Sequence, residues 1–124
     1  MRSEGHIAFT ITEHTAERVL AQMPVQAGIK NPFGTVHAGA MIWFADVAAT
    51  MLAIGTTPAT AGMKGFPLAI NLNANLVGNQ TDGVLTATAT FVKRGRSVSV
   101  VRTQVCGDGG KLLAEITTSH VMSK

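Results

Sequence analysis

Ala38-Gly39-Ala40-Met41-Ile42-Trp43-Phe44-Ala45-Asp46-Val47-Ala48-Ala49-Thr50-Met51-Leu52-Ala53-Ile54, closed by Gly55, constrains how the rest of the chain must fold. Ala, Met, Leu, Ile and Trp dominate the run, and the glycine stands where a C-terminal cap belongs. The stretch therefore predicts a helix over 38–54. Such a helix is apolar on nearly every face, so it is enclosed by other structure rather than laid on a surface. It falls short of the roughly 20 residues that cross a bilayer and carries Asp46 near its middle, which argues against a membrane span.

Outward from the helix, the pattern on both sides is one of strands. Residues 6–12 read as a short strand. Residues 17–26 are ambiguous: the alternation Val19, Ala21, Met23, Val25 favours a strand, and Pro24 points to a sheet edge or bulge. A loop rich in turn formers, Gly28 to Gly34, leads into the helix, and another, Thr56 to Phe66, leaves it. The period then becomes two over Leu68–Leu76, Gly83–Lys93, Ser97–Cys106 and Leu112–Met122. In the second of these, Thr86, Thr88 and Thr90 fall on one face and Leu85, Ala87, Ala89 and Phe91 on the other, as in a half-buried strand. The short glycine-containing links Asn79–Gly83, Lys93–Arg96 and Gly107–Lys111 predict three successive hairpins, hence an antiparallel meander. The fold class is α+β, one long helix wrapped by a curved antiparallel sheet.

The chain is 124 residues long, which suits one domain over 1–124 and no second core. Charged residues make up 14%, against roughly 25% in an average chain, and hydrophobic residues 46%, so part of the apolar surplus is expected to be covered by a second copy. The net charge of +3 suits an anionic small molecule as readily as nucleic acid, and no interleaving of aromatic and basic residues supports the latter. The N-terminus MRSEGHIAFT has no apolar signal core, which leaves a cytoplasmic protein as the expectation. A single cysteine, Cys106, excludes an internal disulfide framework and a Cys-based zinc site. His6, His14 and His120 show no metal-ligand spacing, so no metal is expected.

Three residues stand out chemically. Asp46 has mostly apolar neighbours one turn away (Ile42, Trp43, Ala49, Thr50) and no basic partner among them. Burying an unpaired carboxylate is costly, so it lies on an exposed stripe, bonds a partner from the sheet, or serves as a base in a wet site. His37 immediately precedes the helix, where outward N–H groups and the dipole stabilise an anion, though a plain capping histidine fits the same position. Asn31, before Pro32, is either a functional amide or turn chemistry. His37 and Asp46 are nine positions apart, about 13 Å along a helix and half a turn around it. They cannot meet on one helix, but they can meet between two antiparallel copies related by a two-fold axis. Lys93-Arg94-Gly95-Arg96 places three cations in one turn: a solvated hairpin, or a clamp for a phosphorylated ligand.

Asn31-Pro-Phe-Gly34-Thr-Val-His37-Ala-Gly39 followed by an apolar helix with Asp46 resembles the hotdog-fold acyl-CoA thioesterases, and within them the phenylacetate-degradation type. The spacings of six and nine, Asn31 to His37 and His37 to Asp46, are similar to that pattern. The resemblance implies a sheet wrapped round the long helix and a homodimer or homotetramer with shared active sites. It implies Asp46 as general base or nucleophile on a thioester carbonyl and Asn31 as the residue orienting water. The amide of Ala38, beside His37, would hold the thioester oxygen, and Gly39 would allow close packing. Lys93, Arg94 and Arg96 would contact the CoA phosphates. Ala69, Ile70 and Asn71 stand nearest the position where relatives carry an assisting Ser or Thr, and Asn71 or Asn73 would take its place. Ala38 replaces the usual first glycine after the histidine, which makes a positive φ there costly. A thiolate leaves readily, so activated water and an oxyanion donor suffice, with no cofactor. The alternative is a non-catalytic hotdog module that binds acyl-CoA or an acyl carrier. A hydratase on the same fold fits less well, because its acid sits at a longer spacing.

Overall fold

The computed structural model describes Arg2 and residues 4–123. Its elements are β1 (Thr10–His14), β2 (Arg18–Pro24), α1 (Ala38–Ile54), β3 (Pro67–Leu76), β4 (Val84–Lys93), β5 (Ser99–Cys106) and β6 (Leu112–Met122). The helix has the expected bounds. His37 caps its start with its side chain, and Gly55, at φ 75°, closes its end in a conformation that a Cβ would disfavour.

Six strands form one antiparallel sheet in the order β1-β2-β4-β5-β6-β3, with α1 packed on one face. This is the hotdog arrangement. Alternation supplies the inner face of each strand: Val19, Ala21 and Met23 of β2, Leu85, Ala87 and Ala89 of β4, Val101 and Val105 of β5, Ile116 of β6. Against them lie Ala40, Met41, Phe44, Ala45, Ala48, Ala49 and Leu52 of the helix. Alanines on both sides let the helix approach the sheet closely. Each fully buried Leu, Met or Phe contributes roughly 1.5–3 kcal/mol.

Three expectations need correction. The first strand is not 6–12 but Thr10–His14; residues 6–8 cross over the 26–28 segment instead of pairing in the sheet. Gln26 fastens them, accepting from the Ala8 N–H and donating to the Ala8 carbonyl. A Cβ at Gly28 would lie 2.3 Å from the His6 carbonyl oxygen, so only glycine permits this crossing. Ser97 and Val98 belong to the turn that precedes β5, which begins at Ser99. The larger correction concerns the meander. Only β4, β5 and β6 form one; β3 pairs with β6 at the far edge, and β4 pairs with β2. The segment 77–83 is therefore a crossing and not a hairpin. Its backbone is tied to Leu113 through the N–H groups of Val77 and Gly78. Asn79 accepts from the Val36 N–H at 2.9 Å and donates to the Val36 carbonyl at 2.8 Å.

This topology fixes two ends of the sheet, about 30 Å apart at 3.3 Å per strand residue. The helix begins at one end, where Val36 joins Asn79 and the His37 N–H bonds the Ile29 carbonyl. It finishes at the other, where β3 starts and the turn between β4 and β5 lies. Among the described residues, no helix is long and apolar enough to cross a membrane.

Candidate active site

Asp46 is half-buried on the side of α1 that faces β3. It lines an open cavity of about 590 Å³ together with Gly39, Ile42, Trp43, Ala69, Ile70, Asn71 and Leu72. Its carboxylate has no hydrogen bond or ion pair among the described residues, so the sheet supplies no bonded partner for it there. Trp43 forms one wall and is held edge-on by Phe9, ring centroids 4.8 Å apart. The pairing of β3 with β6 shifts register between Ala69 and Asn71, beside the carboxylate.

His37 is fixed differently. Its Nδ1 accepts from the Ala40 N–H at 2.9 Å. A ring nitrogen that accepts carries a lone pair, so in the neutral ring the proton is on Nε2, which is left as a donor. The N–H groups of Ala38 and Gly39 find no acceptor among the described residues, as the first turn of a helix requires. Ala38 lies in the helix with φ below zero, so the alanine carries no conformational penalty there. A Cβ at Gly39 would meet the His37 ring at 3.3 Å; the glycine makes room for the capping imidazole. His37 lines a second cavity, about 630 Å³, with Lys30, Asn31 and Pro32.

Asn31 is committed to its own turn. Its Oδ1 accepts from the N–H groups of Phe33 and Thr35, at 2.9 and 3.1 Å, and its Nδ2 donates to the Thr35 hydroxyl at 2.7 Å. The side chain therefore shapes the loop that delivers His37. Within one chain, Asp46 and Gly39 share one cavity with Asn71, while His37 and Asn31 share another. The basic turn lies at the opposite end of the sheet from His37. There, Arg94 stacks 4.4 Å from the Phe91 ring, donates to the Ala16 carbonyl and lies 3.7 Å from Glu17. Lys93 and Arg96 are exposed and unpaired among the described residues.

The His37 geometry separates two roles by mutation. His37→Asn keeps a good capping side chain but removes the Nε2–H donor, whereas His37→Ala removes both and costs about 1 kcal/mol of stability. Thermal unfolding is expected to show the asparagine variant close to the parent and the alanine variant lower. Equal melting temperatures in the two variants would contradict the cap.

One residue of the neighbourhood escaped sequence reasoning. His120, on the inner face of β6 and paired with Ala69, is buried, and its Nε2 lies 2.7 Å from the Thr118 hydroxyl. Its Nδ1 has no partner among the described residues. The only sequence signal was its even spacing from Ile116 and Thr118, which also suits an ordinary core position. Burial pushes the imidazole below its ordinary value, and the Asp46 carboxylate opposes that shift. The unfolded chain then binds more protons than the folded one as pH falls through 6.5, the ordinary imidazole value. Stability from this group is full above that pH and is lost as pH falls below it. Melting temperature should drop across that interval, and less steeply in His120→Gln; an identical slope in both proteins would exclude His120 as its source.

The family described as "Domain of unknown function (DUF4442)" matches residues 5–120. ComA2 of Bacillus subtilis, provisionally named an esterase, is 32% identical over 111 residues, covering 86% of this chain and 82% of its own. The 1,4-dihydroxy-2-naphthoyl-CoA hydrolase of Listeria monocytogenes is 27% identical over 96 residues, covering 77% of this chain and 75% of its own. Among solved structures, a mutant of the thioesterase SAV0944 of Staphylococcus aureus superposes with a TM-score of 0.85 at 28% identity, over 94% of this chain and 93% of that one.

Proposed function

The chain belongs to the DUF4442 family, and from that premise we propose that it is an acyl-CoA thioesterase, hydrolysing the thioester to a carboxylic acid and free CoA. The observation that carries this reading is an Asp46 carboxylate, unpaired among the described residues, opening into a cavity on a helix whose first N–H groups and His37 Nε2 find no acceptor there. The relatives named as a thioesterase and a CoA hydrolase support the substrate class. The Asn31, His37 and Asp46 spacing supports a place near the phenylacetate-degradation type.

In the proposed reaction, Asp46 takes a proton from water as the water oxygen adds to the thioester carbonyl carbon. Negative charge grows on the carbonyl oxygen and is met by the N–H groups of Ala38 and Gly39 and by His37 Nε2–H, reinforced by the helix dipole. The tetrahedral intermediate collapses, the C–S bond breaks, and the thiolate takes the proton that Asp46 had accepted. The products are the acid and the CoA thiol.

One chain does not bring Asp46 to His37, so the reading includes a second copy. The helix flank that carries Gly39, Ile42, Trp43 and Asp46 is only partly covered, and Ile70, Leu72 and Leu76 are exposed on the neighbouring edge strand. A two-fold pairing along this seam, with antiparallel helices, sets His37 of one subunit toward Asp46 of its partner and yields two shared sites in a homodimer or homotetramer. The same operation carries the partner's basic turn, with Lys93 and Arg96, toward the His37 end of this subunit, where CoA phosphates would need cations. The test is thiol release from a panel of acyl-CoAs by wild type and an Asp46 variant; calorimetric binding without release would instead select a binding module.

A further inference from the structure

Beyond Asp46 along α1 lies a separate, smaller cavity of about 290 Å³. It lies between the last turns of the helix and the loop that leads into β3. Thr50 is one helical turn past Asp46, and Pro67 stands two residues before Ala69, which lines the Asp46 cavity. Met51, Ile54, Met63 and Phe66 make up its apolar walls, and none of the residues lining it is charged. By contrast, Met41 and Phe44 are fully buried in the core and cannot touch a ligand.

We propose that this cavity receives the acyl group of the thioester and restricts the substrate class to apolar, uncharged acyl groups longer than acetyl. The inference rests on the thioesterase reading for the placing of the carbonyl at Asp46. A cavity of about 290 Å³ exceeds the room that a two-carbon acyl group fills. The chemistry follows from the lining: an acyl chain with a terminal carboxylate or ammonium would lose its hydration and find no opposite charge. Methionine walls adapt their shape, so a medium-length aliphatic chain and a single aromatic ring both fit. The direction follows from position: in the antiparallel pair the partner's helix start, which carries the oxyanion donors, faces Asp46, and the cavity lies one turn further along α1.

Ala59 lines the cavity from the exposed loop, where a larger side chain fills space without entering the core. The test compares wild type with Ala59→Phe on acetyl-, octanoyl-, phenylacetyl- and succinyl-CoA. Thiol release is followed for each, and calorimetry gives the dissociation constants. In wild type, kcat/KM for octanoyl- or phenylacetyl-CoA should exceed that for succinyl-CoA at least tenfold. In Ala59→Phe, the octanoyl-to-acetyl ratio should fall at least tenfold. Hydrolysis with a ratio unmoved by the substitution overturns the acyl cavity and leaves the thioesterase reading standing. Chain-length-dependent binding that Ala59→Phe abolishes, with no hydrolysis by either protein, keeps the cavity and overturns the hydrolase. Absence of both binding and hydrolysis overturns both. A change of oligomeric state in Ala59→Phe with the ratio unaltered assigns the cavity to the subunit interface and overturns the proposal.

Discussion

Asp46→Asn should lower kcat for acyl-CoA hydrolysis by a factor of about 10²–10⁴, the range that a positioned general base supplies. The asparagine preserves size and the half-buried position, so the fold is undisturbed and KM changes little; the loss lies in proton transfer alone. The base has little redundancy, because no other carboxylate lines its cavity. A variant that releases thiol at the parental rate would remove Asp46 from the mechanism. The same carboxylate can act by attacking the carbonyl itself, and isotope placement separates the two chemistries. In a single turnover in ¹⁸O-water with enzyme in excess, a base delivers ¹⁸O to the released acid. A nucleophile forms a mixed anhydride with the acyl group, releasing the thiolate, and water that opens it at the Asp46 carbonyl leaves ¹⁸O in Asp46 and ordinary oxygen in the product; ¹⁸O in Asp46 therefore identifies the nucleophile.

The second large effect concerns sharing. His37→Ala and Asp46→Ala should each be nearly inactive alone, since each spoils both sites of a symmetric pair. Mixed and allowed to exchange subunits, they should recover activity. A heterodimer joins an intact His37 from one subunit to an intact Asp46 from the other at one of its two sites. With random exchange of equal amounts, half the dimers are mixed, so about a quarter of wild-type activity returns. Recovery of none, with subunit exchange verified by mass, would confine the site to one chain and contradict the antiparallel pairing. The exposed Ile70 and Leu72 give a companion measurement: Ile70→Asp places a charge on the proposed seam and should shift the sedimentation profile to the monomer along with the loss of activity.

Much of this architecture could be read before any coordinates. The helix was legible to the residue because composition, capping position and the terminal glycine agree at 38–54. The strands were legible as faces: the threonines of β4 point one way and its alanines the other. What alternation does not encode is the neighbour. Leu76 and Val84 are close in sequence and separated by turn-forming residues, so a hairpin was the economical reading. The deciding contacts are long-range ones, Asn79 on Val36 and β3 on β6, to which local periodicity is blind. The site shows the same division. Asp46 was conspicuous as the one charge in an apolar helix. The turn role of Asn31 was foreseeable from Asn-Pro, yet only the three hydrogen bonds to 33–35 show how fully the amide is occupied. The cavity wall supplied by β3 includes a register shift at Ala69–Asn71 that leaves no clear mark in the sequence.

The crossing that carries β3 to the far edge also sets an order of events in folding. Along β3 and β6, paired residues are separated by 38 positions at Leu76–Ala114 and 55 at Pro67–Met122. Closing loops of that length is slow compared with forming the β4–β5–β6 meander, whose contacts are nearly local. Until β6 is in place, β3 has no partner, and the wall it gives to the Asp46 cavity is missing. A refolding chain should therefore regain helix and meander signals first and the power to bind an acyl-CoA last. Its apolar edge strand stays open to aggregation during that interval.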